Sequence, residues 1–345
     1  MKINTDLFGT TNTGLEISRF KLVNSDGNEV QLMNWGATLL DVIVPDAKGE
    51  RDNVNVSFAT LQPYLDGHPY FGATIGRFCN RIGNASFEIG GKKYSLTQNH
   101  GDHHIHGGTK GLTYKRWESE PYQESDSVGV RFTIKSPDGE EGYPGNVAVT
   151  ADYNWNNKNE LTIVYSATTD AATHINLTNH SYWNLAGAFS GTALHHVAEI
   201  MGDQILKTDD DRIPTGEYLD VKGTAWDFET PTALGARIEQ VNAGTGYDDC
   251  YVVRGQVGQL RRAARVVDPR SGRVLEIETT QPGVQLYTAN FLPGNEQSNG
   301  VGGHEAFCLE TQRYPNTPNV DRFPSTRLEP GEEYKETTVH RFSVA

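Results

Sequence analysis

The residue that most needs a chemical explanation is Glu310, which lies in the middle of the apolar, strand-like segment 307–312, Phe-Cys-Leu-Glu-Thr-Gln. Burying a carboxylate costs free energy unless the group is paired or used. In an extended segment Glu310 shares one face with Cys308 and Gln312, because successive side chains of a strand point to opposite sides. Glu310 is therefore a candidate acid or base in a buried site.

A histidine with polar and aromatic neighbours stands in segment 176–185, Asn-Leu-Thr-Asn-His-Ser-Tyr-Trp-Asn-Leu. In extended conformation Asn176, Thr178, His180 and Tyr182 project to one side. Such a stripe is what a sugar site needs, since flat rings pack on the C–H faces of a sugar while amides and hydroxyls bind its hydroxyl groups. His180 is the titratable group at the centre of this stripe.

A second histidine segment, 99–108, has four imidazoles within the seven residues 100–106. The His-x-His spacing of His104 and His106 is common in metal sites. No neighbouring Glu or Cys completes a ligand set, however, so we expect no metal. His106 precedes Gly107-Gly108, and two glycines let a backbone approach a ligand closely. His106 is therefore the candidate site residue of this segment.

Three further segments have polar side chains that an ordinary strand does not need. Asn80-Arg81 follows the apolar run 70–75, Asp248 stands where a strand is predicted to begin, and Gln285 shares a strand face with Tyr287. If these segments lie beside the glutamate and the histidines in the folded protein, they form a cleft suited to acid–base chemistry on a polyhydroxylated substrate. Such chemistry needs no cofactor.

Opening a pyranose ring requires a base for the anomeric hydroxyl and an acid for the ring oxygen. A glutamate and a histidine suit these two tasks near neutral pH if each pKa is tuned. Hydrolysis of a glycosidic bond would instead use two carboxylates. Asp248 and Glu310 are both present, so a glycosidase is the runner-up on chemistry alone.

The elements that position these residues are expected to be short antiparallel strands. Thirty-six glycines, 15 tyrosines and 13 phenylalanines favour many strands joined by tight turns. Segments 128–134, 160–165 and 273–278 alternate apolar and polar residues, as half-buried strands do. Gly90-Gly91 between 86–89 and 92–96 predicts a hairpin with a type I′ turn.

Helix signals are sparse. The strongest is Thr230-Pro231, with the threonine as N-cap and the proline at the first position of a helix that continues through 232–240. A shorter helical turn is predicted within 59–65, interrupted by Pro63. No linker divides the chain. We therefore predict an all-β fold of two packed antiparallel sheets, forming one domain over residues 1–345.

Composition excludes several function classes. Thirty Lys and Arg against 44 Asp and Glu give a net charge of −14, which repels nucleic acids and anionic membranes. No apolar stretch approaches membrane-spanning length. The motifs of nucleotide-binding loops, zinc proteases and serine hydrolases are absent. Three scattered cysteines and an N-terminus without an apolar signal segment favour the cytoplasm.

Taken in chain order, these motifs resemble the galactose mutarotase (aldose 1-epimerase) family, with a likeness that extends from about Phe8 to Val344. The segments that match are 70–72 (YFG), 76–77 (GR), 80–82 (NRI), 106–108 (HGG), 138–145 (DGEEGYPG), 176–187 (NLTNHSYWNLAG), 246–248 (GYD), 280–285 (TQPGVQ), 308–312 (CLETQ) and 330–334 (PGEEY). Segment 100–104 is richer in histidine than the usual loop of the family.

The resemblance implies a large antiparallel β supersandwich with a few short helices and no cofactor. It implies that Glu310 is the general base and His180 the general acid, and that His106 helps to position the sugar near its ring oxygen. The residues that match sugar-binding positions of the family are Asn80, Arg81, Asp248 and Gln285.

We therefore expect a cofactor-free isomerase that interconverts the α and β anomers of free aldohexoses such as galactose and glucose, acting as a monomer or homodimer on a small-molecule monosaccharide. Three other interpretations remain open. They are a non-catalytic carbohydrate-binding module, a sugar-phosphate epimerase of related fold that would use basic residues such as Arg77 and Arg81, and a metal enzyme built on His104 and His106.

Overall fold

The computed structural model describes all residues from Met1 to Ala345, and strands dominate it. The strands are β1 (Lys2–Thr10), β2 (Glu16–Val23), β3 (Glu29–Met33), β4 (Thr38–Pro45), β5 (Arg51–Asn53), β6 (Thr74–Ile75), β7 (Arg81–Ile82), β8 (Ser86–Ile89), β9 (Lys92–Ser95), β10 (His104–Ile105), β11 (Glu118–Gln123), β12 (Ser127–Ser136), β13 (Val147–Asn156), β14 (Glu160–Thr169), β15 (Thr173–His174), β16 (Thr178–Asn179), β17 (Val197–Ile200), β18 (Gln204–Thr208), β19 (Pro214–Asp220), β20 (Thr232–Ala233), β21 (Asp248–Val252), β22 (Arg261–Val267), β23 (Arg273–Thr279), β24 (Gly283–Tyr287), β25 (Cys308–Gln312), β26 (Arg327–Leu328) and β27 (Tyr334–Val344).

Three large sheets form the body of the molecule. An N-terminal sheet has the order β1-β2-β3-β4-β5, and a nine-stranded sheet has the order β11-β12-β13-β14-β27-β23-β22-β17-β20. A third sheet has the order β19-β18-β21-β24-β25. Two-stranded pairs complete the structure: β6 with β16, β7 with β10, β8 with β9, and β15 with β26. Neighbouring strands are antiparallel, so the predicted all-β class is confirmed.

The alternating sequence patterns form the expected strands. Segment 128–134 lies within β12, and segment 160–165 lies within β14, whose buried and partly exposed residues alternate over most of its length. The predicted hairpin is present as well, with Phe87 opposite Tyr94. Gly90 and Gly91 have φ values of 59° and 78°, in the left-handed region that a type I′ turn requires.

The helix predictions are only partly correct. Thr232–Ala233 forms β20 and pairs with Val197–Ala198 at the edge of the nine-stranded sheet, so the helix does not begin at Thr230. After β20 the chain enters a 3-10 helix, Leu234–Gln240, which is broken by non-helical angles at Arg237. The single α-helix, α1 (Gln62–Asp66), contains Pro63 in its first turn. There the missing N–H of proline costs nothing, so Pro63 starts this helix and does not interrupt it.

The remaining helices are short. They are the 3-10 turns Gly83–Ala85, Leu112–Tyr114, Glu140–Gly142, Asn242–Gly244, Glu296–Ser298 and Thr317–Asn319. None of the helices combines the length and the apolar character needed to cross a lipid bilayer.

The core joins the three sheets. One cluster of 52 buried residues includes Phe20 of β2, Phe132 of β12 and Leu286 of β24. The rings of Phe20 and Phe132 meet edge to face at 5.9 Å, which fixes the N-terminal sheet on the nine-stranded one. The division of the chain into one domain stays a prediction, which this shared core supports.

Candidate active site

Three neighbouring strands of the C-terminal five-stranded sheet present polar side chains on one face. Gln285 of β24 pairs with Glu310 of β25, and β21, which begins at Asp248, lies on the other side of β24. The Gln285 amide donates to Asp248 Oδ1 at 2.8 Å, and the Gln312 amide donates to Gln285 Oε1 at 3.2 Å. This chain of hydrogen bonds fixes the side chains around the glutamate.

The opposite wall comes from the two-stranded pairs. His180 follows β16, and Arg81 begins β7. His106 follows β10 with φ of 52°, and its ring is held by Asn80, whose backbone N–H donates to Nδ1 at 3.2 Å. The proton of the neutral His106 ring is therefore on Nε2. At Gly107, also in the left-handed region, a Cβ would overlap the carbonyl oxygen of Gly76, so this turn requires glycine.

Glu310 and His180 face each other. Oε2 of Glu310 lies 3.6 Å from Nε2 of His180, and only 3–5% of each side chain is exposed. Glu310 Oε2 makes no hydrogen bond in this structure. A buried carboxylate oxygen without a partner is costly, and in a cavity it is an acceptor available to a ligand hydroxyl.

Burial sets the protonation of both groups. Loss of solvation, with the negative charge of Asp248 adding to it, raises the pKa of Glu310 to about 8. Burial lowers the pKa of His180 to about 4 and that of His106 well below its usual value. Both effects disfavour the charged form of the buried group. Between these limits the Glu310–His180 pair holds one proton.

Asp248 is the ionised carboxylate of the site. Burial alone would raise its pKa, but Arg81 and Arg212 outweigh burial and lower the pKa from its usual value. Arg81 Nη2 lies 3.2 Å and Arg212 Nη1 3.0 Å from the same carboxylate oxygen. Neither guanidinium is thus a free cation, and Asp248 is a poor proton donor near neutral pH.

A cavity of about 320 Å³ lies between these walls, within the size range of small-molecule sites. Its lining consists of Pro69, Tyr70, Asn80, Arg81, Asn99, His100, Ile105, His106, His180, Tyr182, Asp248, Tyr287, Phe291, Leu292 and Glu310. Six of the seven sequence-predicted site residues line it. The seventh, Gln285, lies behind Asp248 and contacts the cavity through that carboxylate.

Sequence reasoning missed two kinds of contributor. Arg212 follows three aspartates in an acidic loop, and nothing in that segment indicates its partner Asp248. In the aromatic lining, Tyr182 and Tyr287 were noted beside polar candidate residues, whereas Tyr70 and Phe291 were not expected there. Since aromatic faces pack on the C–H faces of sugars, these rings strengthen the prediction of a sugar site.

The alternative metal pair is not available. His104 Nδ1 bonds the Thr97 carbonyl and Nε2 bonds the Tyr143 hydroxyl, both at 2.7 Å, so neither nitrogen can join His106 on a metal. Arg77, a candidate phosphate ligand, is buried away from the cavity. It donates to Ser136 Oγ at 2.7 Å and to the Pro144 carbonyl at 2.9 Å.

Two other candidate sites lack a comparable set of acid–base residues. A larger groove of about 730 Å³ near Lys135 and Asp170 has no imidazole and no buried carboxylate. His195, His196 and Asp268 lie close enough together to suggest a metal site. His196 is already satisfied, however, because Nδ1 bonds the Ala193 carbonyl and Nε2 accepts from the Leu185 N–H.

Comparisons with known proteins agree with the geometry. A family model described as aldose 1-epimerase matches residues 18–341. Galactose mutarotase of Homo sapiens is 43% identical over 335 residues, which cover 96% of each chain. Aldose 1-epimerase of Escherichia coli (strain K12) is 32% identical over 329 residues, covering 93% of this chain and 94% of that one.

Solved structures show the same fold. The crystal structure of galactose 1-epimerase from Lactobacillus acidophilus NCFM superposes with a TM-score of 0.89 at 26% identity, covering 100% of this chain and 99% of that one. An aldose epimerase homologue from C. elegans has a TM-score of 0.85 at 31% identity, covering 94% and 98% of the two chains. Agreement in sequence and in fold over nearly the whole length confirms what the motifs predicted: the chain belongs to the aldose 1-epimerase family and is an isomerase.

Proposed function

We propose that this mutarotase interconverts the α and β anomers of free aldohexoses, with galactose and glucose as substrates, by opening and reclosing the pyranose ring. The observation that carries the proposal is the unpartnered Glu310 carboxylate oxygen, 3.6 Å from Nε2 of His180 in a cavity of sugar size. The anomeric hydroxyl and the ring oxygen are bonded to the same carbon, so a base and an acid that serve both must be close neighbours.

The proton balance of the pair suits this reaction. In the reactive state Glu310 is a carboxylate and His180 an imidazolium, so the pair holds one proton. The carboxylate takes the proton of the anomeric hydroxyl, the C1–O5 bond breaks, and Nε2 of His180 gives its proton to O5. The pair again holds one proton, now on Glu310, and the substrate is the open aldehyde.

Reclosure reverses these roles. The aldehyde turns about C1–C2, O5 attacks its other face and returns its proton to His180, while Glu310 gives its proton to the carbonyl oxygen. The resting enzyme has its single proton on Glu310, because burial raises the pKa of that carboxyl to about 8 and lowers the pKa of His180 to about 4. Transfer of that proton to Nε2 restores the reactive state.

The remaining site residues bind and orient the sugar. We propose that Asp248, Arg81 and Asn80 hydrogen-bond to sugar hydroxyls, and that Gln285 keeps Asp248 in place. His106 presents an Nε2–H donor next to His180, since its Nδ1 is occupied by the Asn80 N–H and its ring lies 5.2 Å from that of His180. A neutral donor there positions the ring-oxygen side of the sugar without competing for the proton.

Polarimetry of freshly dissolved α-D-glucose and α-D-galactose tests the function. We expect the protein to accelerate the approach to anomeric equilibrium for both sugars, and to do so equally after exhaustive treatment with EDTA. Glu310→Gln and His180→Asn should each lower kcat by roughly 100-fold or more, the usual contribution of a general acid or base. A near-normal kcat in either variant would show that the replaced residue is not the general acid or base proposed here.

The same measurement distinguishes the alternatives. A non-catalytic carbohydrate-binding module would bind these sugars, as calorimetry can detect, without any gain in anomerisation rate. A sugar-phosphate epimerase would prefer the 6-phosphates, whereas we expect phosphate to weaken binding because Arg81 and Arg212 are already paired with Asp248. A glycosidase would release the aglycone from nitrophenyl galactosides, which we do not expect.

We also propose a cytoplasmic location. The three cysteines, Cys79, Cys250 and Cys308, are all free and buried, as in proteins of reducing compartments. The net charge of −14 makes nucleic acids and anionic membranes unfavourable partners.

A further inference from the structure

The second nitrogen of His180 has a partner that takes no part in the proton transfers between Glu310, Nε2 and the sugar. Sγ of Cys308 lies 3.7 Å from Nδ1 of His180, within hydrogen-bonding distance for sulfur. Sγ is the one side-chain atom bonded to Nδ1, and both residues are buried. Cys308 begins β25, two residues before Glu310, so the two side chains lie on the same face of that strand.

Three neighbouring aromatic rings hold the plane of the His180 imidazole. The Tyr182 ring stacks on it at 5.0 Å with an interplanar angle of 12°, and the Tyr70 ring at 5.9 Å with an angle of 20°. The His106 ring meets it edge to face at 5.2 Å. This packing directs Nε2 to Glu310 and Nδ1 to Cys308.

We propose that Cys308 is a positioning residue whose sulfur accepts the Nδ1–H of His180, so that Nδ1 keeps its proton while Nε2 gains and loses the proton that the reaction moves. The inference rests on the proposed function, in which Nε2 is the atom that serves the ring oxygen. Neutral histidine in water favours the opposite tautomer, with its proton on Nε2. A fixed acceptor at Nδ1 acts against that preference, in the same direction as the protonated Glu310 carboxyl that faces Nε2 in the resting enzyme.

A thiol suits a histidine that acts as an acid. Sulfur is a weak acceptor, so it orients the ring while adding little stabilisation of the imidazolium. A backbone hydrogen bond at His180 and the charge of Asp248 also favour the charged ring, but burial outweighs both and lowers the pKa of His180 to about 4. Burial also raises the pKa of the Cys308 thiol well above its usual value. Cys308 is therefore a neutral thiol and adds no negative charge beside Glu310.

The experiment compares Cys308→Ala with Cys308→Ser in the full chain. Imidazole ¹⁵N NMR at neutral pH reports the tautomer, and the spectrum of His180→Asn identifies the signal. In the wild type we expect neutral His180 with its proton on Nδ1. In Cys308→Ala the signal should move towards the Nε2–H form, and kcat should fall roughly 5-fold with KM unchanged, the effect of one lost neutral hydrogen bond.

Cys308→Ser is the matched control. Its hydroxyl oxygen is a stronger acceptor than sulfur, so the Nδ1–H tautomer should persist, and the acidic limb of the kcat profile should move to higher pH. A purely structural role would not move that limb. The other titratable groups that face His180 stay the same in both variants; they are His68, Tyr70, His106, Tyr182, Asp248 and Glu310.

Two results would overturn the inference. One is a wild-type His180 with its proton on Nε2, and the other is a pair of variants whose tautomer and pH profile both match the wild type. Failure of the proposed function would be seen separately, as a wild-type protein that does not accelerate anomerisation. In that case the NMR signal still reports whether Cys308 fixes the His180 tautomer.

Discussion

Replacing Glu310 by glutamine should stabilise the fold at alkaline pH while it removes activity. Burial raises the pKa of this carboxyl from 4.5 to about 8. The folded protein therefore binds the Glu310 proton more tightly than the unfolded chain does between these two values. Consequently the wild type loses stability as the pH rises from 4.5 to 8, because the buried carboxyl must ionise.

The magnitude depends on the size of the pKa shift. Each pH unit in this window is worth about 1.4 kcal/mol, so the full effect approaches ~5 kcal/mol. Glutamine has a similar shape and no charge to lose. The free energy of unfolding of Glu310→Gln minus that of the wild type should therefore rise by several kcal/mol between about pH 4.5 and about pH 8.5. The acid titration of His180 is common to both proteins and cancels in this difference.

Urea unfolding, followed by tryptophan fluorescence across this pH range, measures the difference. The matched control is Glu120→Gln on β11, the same chemical change at an exposed glutamate; the rise with pH should be specific to Glu310→Gln. If the Glu310→Gln difference is also independent of pH, or if the variant is less stable than the wild type at about pH 8.5, then burial does not hold this carboxyl neutral. The proposal that the Glu310–His180 pair holds one proton near neutral pH would then be wrong.

Two further predictions concern the chemistry of the cavity. The pH profile of kcat/KM should be flat between about 4 and about 8, since the Glu310–His180 pair then holds one proton; it should fall below this range, where no base remains, and above it, where no acid remains. Stopped-flow polarimetry checks this, and a profile that keeps rising beyond about pH 9 would contradict it. Arg212→Gln removes one of the two guanidiniums on Asp248 and should raise KM roughly 3- to 10-fold with a smaller change in kcat. A loss confined to kcat, in the same steady-state assay, would show that Arg212 does not act through sugar binding.

Much of the fold was accessible from local patterns. The hairpin at Gly90-Gly91 and the strand at 128–134 formed as predicted, because turn chemistry and alternating burial are local properties. The helix expected from Thr230 did not form there, since pairing of Thr232–Ala233 with β17 outweighs a local capping signal. The strand pairing that adds β20 to the nine-stranded sheet is a tertiary contact that no window of sequence contains.

The candidate site shows the same division. Glu310 and His180 could be chosen because each is a polar residue where the surrounding pattern predicts burial. In the structure the Gln285 amide donates to Asp248 behind the cavity wall, a contact that the sequence did not indicate; that Gln285 also binds the sugar stays a prediction. Arg212 could not be found at all, because its role depends on a carboxylate on another strand.

The sequence by itself determined the family, the β architecture and the residue types available for proton transfer. Each of these can be recognised from motifs or patterns that span only a few residues. Only the tertiary structure decided how those residues behave. The 3.6 Å between Glu310 and His180, the pairing of two arginines with Asp248 and the thiol behind the imidazole all join distant parts of the chain. The pKa values depend on the same assembly, because they are set by how completely the folded sheets exclude water from these groups.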